Sequence, residues 1–307
     1  MSGTPPVRTI TAAICTYGDA PHLLRALTSL VRQELSDEVT LEILCVDNNP
    51  HPRIALPESL AAVRVVREPM AGLSRARNKA VAEARGDTVA FLDDDAVALP
   101  GWAAALASAF EQTGAWCAGG RVLPEWPGVE PAGLPPQLRS LLSLVDLGGE
   151  TRALRGPVFP CGANMAVRRF VFDRVGSFSA SLGRRPGSLL SGEEIDLFRR
   201  VLREGGTVVY APDAVVRHII PASRLRPEFL RSRAWWEGKS LALLDRLDRG
   251  WPYAAAMALA RAGLALAREP LVYLAGGHRE LAICRARKAA GYWAGLFQGA
   301  PQRRNHR

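Results

Sequence analysis

The sequence predicts an α/β fold, a mostly parallel sheet flanked by helices and followed by a C-terminal helical extension. Three observations point there. Short apolar runs alternate with segments of helical spacing through the first hundred residues, three of those runs end directly in acceptor-rich polar residues, and a basic, Leu/Ala-rich composition sets in after about residue 222.

The elements follow in order. Thr9 to Cys15 (TITAAIC) is a short buried strand, and Pro21 to Val31 places Leu23, Leu24, Leu27, Leu30 and Val31 at helical spacing. Leu41 to Val46, Ala62 to Val66 and Thr88 to Leu92 are three further strands. Ser74 to Arg85 is a helix that stops at Gly86. Strand, helix, strand in repetition builds βαβ units, whose ligands bind beyond the carboxyl ends of the strands. Those ends carry Thr16-Tyr17-Gly18-Asp19, Asp47-Asn48-Asn49 and Asp93-Asp94-Asp95. From Pro124 to Pro160 the chain is rich in Pro and Gly, with an amphipathic piece at Gln137 to Leu147, and reads as an irregular insertion serving as a lid on the acceptor side. Val167 to Val175 and Glu193 to Arg203 read as helices, Thr207 to Tyr210 as a strand, and Pro227 onward as a helical block. The division expected is a catalytic domain over 1–221 and a basic, amphipathic helical extension over 222–307.

With 307 residues and 48% hydrophobic content, the chain can bury a sizeable core. Its five cysteines include no C-x-x-C pair, which argues for small core residues in a reducing compartment and against a disulfide or zinc framework. No signal-peptide pattern opens the chain, and Arg261, Arg268, Glu269 and Pro270 interrupt its most apolar stretch, Trp251 to Gly277, so no spanning helix of about 20 apolar residues is expected. A cytoplasmic protein, peripheral at the inner face of the cell membrane, is the expectation. The formal net charge is +9, and residues 222–307 hold 16 Lys plus Arg against 6 Asp plus Glu, leaving 23 against 24 in the rest. That extension suits an anionic membrane surface, with Trp235, Trp236, Trp251 and Trp293 as interfacial side chains, rather than nucleic acid.

Three adjacent carboxylates repel one another, so Asp93, Asp94 and Asp95 point to a compensating cation, and oxygen ligands select Mg²⁺ or Mn²⁺. In an extended run Asp93 and Asp95 face the same way. Glu193, Glu194 and Asp196 open a helix; one carboxylate suffices as a cap, and the surplus suggests a general base. Arg75, Arg77, Asn78 and Lys79 stand near a helix start, where free N–H groups and arginines bind phosphate. His218 follows the strand TVVY as a candidate metal ligand.

Six stretches taken together, ITAAICTYGDAPHLLRALTSL, EILCVDNNP, GLSRARNKAVAEARGDTVAFLDDDAVALPGW, CGANMAVRR, GEEIDLFRRVLREGG and VVYAPDAVVRH, resemble the inverting family 2 glycosyltransferases of the GT-A fold, a Rossmann-like nucleotide-binding architecture. The resemblance implies transfer of a sugar from a nucleoside-diphosphate donor to an acceptor hydroxyl, lipid-linked or glycan, in envelope polysaccharide or glycolipid synthesis. It implies donor contacts from Thr16, Tyr17, Asp47, Asn48, Arg77, Asp93 and Asp94, metal contacts from Asp95, Asp93 and His218, and Glu194 as the acceptor-activating carboxylate beside Glu193 and Asp196. The chain departs from the family pattern at Asp47-Asn48, where many relatives have two aspartates, and at Glu193-Glu194, where the usual motif is Glu-Asp. A sugar nucleotidyltransferase is the enzymatic rival, but the loop after the first strand has one glycine and no basic residue, and no G-x-G-x-x-G or Walker A loop is present. A non-enzymatic basic protein that binds membrane or nucleic acid is the remaining alternative.

Overall fold

A computed structural model describes residues 6–35, 39–275 and 279–299. They form two compact units, one comprising the described residues up to Glu125 with Ser143–Phe178 and Glu194–Ile219, the other comprising Trp126–Leu142, Ser179–Glu193 and the described residues from Ile220 onward.

The first unit is built on a nine-stranded sheet of β1 (Thr9–Thr16), β2 (Thr40–Asp47), β3 (Val63–Arg67), β4 (Thr88–Asp93), β5 (Ala96–Ala98), β6 (Cys117–Glu125), β7 (Arg152–Leu154), β8 (Asn164–Arg168) and β9 (Val208–Ile219). The order is β3-β2-β1-β4-β8-β6-β9-β5, with β7 on β9. β1 pairs in parallel with β2 and β4, and β2 with β3, as the βαβ reading requires. Beyond β4 the sheet becomes mixed: β8 runs antiparallel to β4 and β6, while β6 and β9 are parallel. The helices α1 (Leu23–Val31), α2 (Leu73–Glu83), α3 (Trp102–Thr113), α4 (Phe170–Val175) and α5 (Glu193–Arg203) accompany it. Two apolar cores form, one holding Leu27, Leu30, Leu106 and Phe110 from α1 and α3, the other Ala76, Ala80, Leu197 and Phe198 from α2 and α5. Central strands with apolar side chains on both faces and helices with one apolar stripe produce that layering.

Three expectations are corrected. The helix expected over Val167 to Val175 is instead the end of β8 followed by α4; all five β8 residues are buried between β4 and β6, and that two-sided burial outweighs the helical spacing of the apolar positions. The strand expected to end at Tyr210 continues to Ile219, because Pro212–Val215 loop out opposite Arg121 and pairing resumes at Val216. Gln137 to Leu147 is not one amphipathic segment: a 3₁₀ turn covers Pro136–Leu142, and Val145 bridges to Val122.

One residue holds the irregular point of the sheet together. The Asn164 amide donates to the carbonyls of Arg121 (3.0 Å) and Ala214 (2.7 Å), and accepts from Trp102 Nε1 at 2.9 Å. Gly120 stands beside it, where a Cβ would overlap the Ala214 carbonyl oxygen. Gly120→Ala is therefore expected to cost on the order of 4 kcal/mol, read as a large fall in Tm; an unchanged Tm would contradict the close approach of β6 and β9.

The second unit holds the long helix α6 (Pro227–Leu274), broken by a non-helical Gly250, and α7 (Arg279–Leu296). Gly238 and Gly291 let the two backbones approach too closely for any Cβ. Between them Tyr292 Oη donates to Asp245 at 2.7 Å, and Ala242, Ala254, Ala258, Tyr292 and Leu296 form a small core. No helix among the described residues is long and apolar enough to cross a membrane.

Candidate active site

The ends of β1, β2 and β4 are laced together by side chains. Asn49 accepts from the Gly18 amide (2.8 Å) and donates to Asp47 Oδ1 (2.8 Å), which ties the turn after β1 to the end of β2. Asp47, 1% exposed, also accepts from the backbone amides of Asn49 and Arg53. Burial pushes its carboxyl up, but these hydrogen bonds outweigh burial and hold it below the usual carboxylate range. Asn48 donates to the carbonyls of Glu68 (2.7 Å) and Met70 (3.0 Å) and accepts from the Gly72 amide (2.8 Å), so its amide braces the loop that leads into α2. Tyr17 is 46% exposed at the mouth of this region.

The aspartate run does not continue as a strand. Asp93 ends β4, and Asp94-Asp95 form a turn before β5. The alternation expected of an extended run therefore gives way to three separate directions. Asp93 Oδ1 lies 3.5 Å from Arg77, Asp94 Oδ2 accepts from Thr16 Oγ1 at 2.6 Å, and Asp95 Oδ1 lies 3.1 Å from His218 Nε2. Each carboxylate thus meets its own partner, which relieves the mutual repulsion that the sequence suggests. Asp95 and His218 meet through the register of the sheet: Ala96 pairs with His218, and the Ile219 amide donates to the Asp95 carbonyl at 2.8 Å. His218 is 2% exposed, with its Nε2 facing Asp95.

Arg77 is the buried cation of the site. It lies on α2 with its guanidinium 5.7 Å from the ring centre of Phe91 and 5.9 Å from that of Phe178, and the rings hold it facing Asp93. Gly162 is its other neighbour, where a side chain would overlap the guanidinium. The thiol of Cys161, buried beside it, is pushed up to about 12, first by burial and then by the negative charges of Asp93 and Glu194, with Arg77 pulling the other way. That combination brings Asp93, Glu194 and Arg77 into one electrostatic neighbourhood at the carboxyl ends of the strands.

The three acidic residues of α5 separate by environment. Asp196 is 1% exposed and receives Arg200 Nε at 3.0 Å and Nη2 at 2.8 Å. Arg200 also donates to the carbonyls of Val175, Gly176 and Ser177, so Asp196 orients the arginine that closes the segment after α4. Glu193 is buried, while Glu194 is half-buried.

Asp95 and His218 offer a carboxylate and an imidazole 3.1 Å apart beside Asp93 at the strand ends; among the described residues no group of three or more His, Cys, Asp or Glu side chains stands close enough together to hold a metal ion by itself. Mg²⁺ and its analogues are usually held by one or two carboxylates, with waters and substrate phosphates completing the shell.

Sequence reasoning passed over Asn49, Gly162, Asn164 and Arg200 as working parts of the site. Their signals were a second asparagine after β2, the Cys-Gly-Ala-Asn run before β8, and an Asp/Arg pair at i,i+4 on α5.

The mixed sheet with its flanking helices and C-terminal helical region is the GT-A fold. The profile of "Glycosyl transferase family 2" matches residues 11–176, more than half of the 307 residues, and the chain belongs to that family. It is 30% identical over 179 residues to a glucosyl-dolichyl phosphate glucuronosyltransferase of Haloferax volcanii, covering 57% of this chain and 56% of that protein. With the succinoglycan biosynthesis protein ExoM of Rhizobium meliloti it shares 28% identity over 301 residues, 94% of this chain and 93% of that one. Among solved structures, the mannosyltransferase PcManGT of Pyrobaculum calidifontis in complex with GDP-Man and Mn²⁺ superposes with a TM-score of 0.59 at 17% identity, covering 96% of this chain and 89% of that one. GalNAc-T7 with UDP, GalNAc and Mn²⁺ gives a TM-score of 0.52 at 17% identity over 77% of this chain, which spans only 51% of that longer protein.

Proposed function

We propose that this chain transfers a sugar from a nucleoside-diphosphate donor to an acceptor hydroxyl with inversion at the anomeric carbon, using Mn²⁺ or Mg²⁺. The carrying observation is the Asp93–Arg77 pair (3.5 Å) and the Asp95–His218 contact (3.1 Å) at the same end of the sheet, with Glu194 near enough for its charge to act on Cys161 together with that of Asp93. Arg77, held by two rings, neutralises the diphosphate as it leaves in this reading; its position between the rings and Asp93 supports that role. Glu194 accepts the proton of the acceptor hydroxyl as its oxygen forms a bond to the anomeric carbon; the bond from that carbon to the phosphate oxygen breaks, and its electron pair departs with the nucleoside diphosphate. A divalent cation bound by Asp95, Asp93 and His218 would add charge stabilisation at the diphosphate.

The relatives support an envelope setting: one is named for succinoglycan biosynthesis and another for action on a dolichyl phosphate-linked sugar. We accordingly favour a glycan or lipid-linked acceptor, and a cytoplasmic-side, peripheral location on an anionic membrane surface. Five unbridged cysteines and the basic extension support that placement.

The direct test is thermal shift with UDP, GDP and dTDP, each with and without Mn²⁺. One nucleotide is expected to raise Tm in the presence of the ion, since saturation at 100 times the dissociation constant stabilises by about 2.7 kcal/mol. No shift with any nucleotide, with or without Mn²⁺, would remove the donor assignment.

A further inference from the structure

The second limb of α6, beyond the break at Gly250, has a surface unlike the rest of the protein. Leu259, Leu264, Leu266, Leu271 and Leu274 are 65%, 60%, 78%, 68% and 76% exposed, and Pro252, Ala256, Ala260, Gly263, Ala267 and Pro270 are exposed with them. At 100° per residue these positions sweep an arc of about 160°, while Ala254, Ala258 and Glu269 fall on the opposite, buried side. The limb is about 36 Å long. An exposed apolar stripe of that length is rare on a soluble surface and marks a binding face.

Charge identifies the partner. Among the described residues from Arg249 to Gly299, every exposed side chain is apolar, tyrosine or arginine: the exposed charges are Arg249, Arg268, Arg279 and Arg287, and no acidic residue is exposed. The two ends of the limb are marked alike, with Arg249 4.6 Å from the Tyr253 ring centre and Arg279 5.4 Å from that of Tyr273. Apolar residues along the length, with tyrosine and arginine at both ends, match the layers of an anionic lipid interface, where acyl chains lie below phosphates.

We propose that this limb lies flat in the headgroup region of an anionic membrane, its leucine arc buried toward the acyl chains and Arg249, Arg268 and Arg279 on lipid phosphates. This rests on the membrane-surface placement given above and names the face that accomplishes it. The tryptophans singled out from composition have a smaller part. Trp235, Trp236 and Trp293 are half-buried, with Lys239 over Trp236 at 4.5 Å and Trp293 packed on the core between α6 and α7; Trp251 alone of the four is exposed, at 51%.

The test is co-sedimentation of the full chain with vesicles of phosphatidylcholine alone and of phosphatidylcholine with phosphatidylglycerol, for the wild type and for Leu259→Glu/Leu271→Glu. Both leucines are solvent-exposed, so the double variant is expected to keep the wild-type Tm. The wild type should pellet with the anionic vesicles, less so at high salt, and the variant should lose about tenfold or more in partitioning. Unchanged partitioning of the variant would overturn the assignment to this face and leave a membrane location standing. Failure of the wild type to bind either vesicle would overturn both. A wild-type dimer that the variant converts to a monomer, without any lipid binding, would make the face a contact with a second copy and overturn the proposal. None of these outcomes depends on sugar transfer, which is assayed separately with a water-soluble acceptor.

Discussion

Glu194→Gln is expected to leave nucleotide-sugar affinity intact while lowering kcat by about 10² to 10⁴. The substitution keeps the volume and one carbonyl acceptor but removes the carboxylate proposed to take the proton. The choice of Glu194 among the three acids of α5 rests on their surroundings. Asp196 is spent on Arg200, and through it on three backbone carbonyls after α4; Glu193 is buried. Glu194 is half-buried, and its charge reaches Cys161 together with that of Asp93. Asp196→Asn should therefore lower Tm, because the buried Arg200 network loses its anion, with kcat falling less than for Glu194→Gln. Equal kcat for Glu194→Gln and wild type, with Asp196→Asn inactive yet stable and still binding donor, would transfer the proton-accepting role to Asp196.

The second large effect is expected at the aspartate turn. Chelation should abolish transfer, and Mn²⁺ or Mg²⁺ should restore it. Asp95→Asn halves the charge offered by Asp93 and Asp95 and disturbs the 3.1 Å contact with His218. Metal-dependent nucleotide binding should weaken by at least about 100-fold, with the apo protein's Tm little changed. His218→Ala should cost about 10- to 100-fold if the imidazole acts by orienting Asp95, since partners that fix a ligand's orientation contribute on that scale. Full turnover in chelator would separate this turn from any metal.

Much of this arrangement was legible in the sequence because local chemistry and fold agree there. Apolar runs ending in polar clusters announce strands that deliver side chains to one edge, and β1, β2 and β4 do so within a residue or two of their expected ends. What escaped depends on register between distant strands. His218 reads as a lone histidine after a strand expected to end at Tyr210; only the outlooping of Pro212–Val215 and the β5–β9 register bring it to Asp95. The separate directions of Asp93, Asp94 and Asp95 come from a turn that no periodicity signals. Asn164 and Gly162 act on backbone and on Arg77 far away in sequence, so the Cys-Gly-Ala-Asn run marks their place without showing what they contact. In the extension, composition pointed to tryptophan, whereas the exposed arc is leucine, because the spacing of buried alanines on α6 decides which face is left outside.

The central claim is that this site catalyses inverting transfer from a nucleoside-diphosphate sugar. The most direct measurement incubates the purified chain with a panel of UDP-, GDP- and dTDP-sugars, Mn²⁺ and a hydroxyl acceptor, and determines the anomeric configuration of the product by NMR. The account predicts a product of configuration opposite to the donor, formed with release of the nucleoside diphosphate and lost in Glu194→Gln. A product that retains the donor's configuration, or one formed equally well by Glu194→Gln, would contradict it.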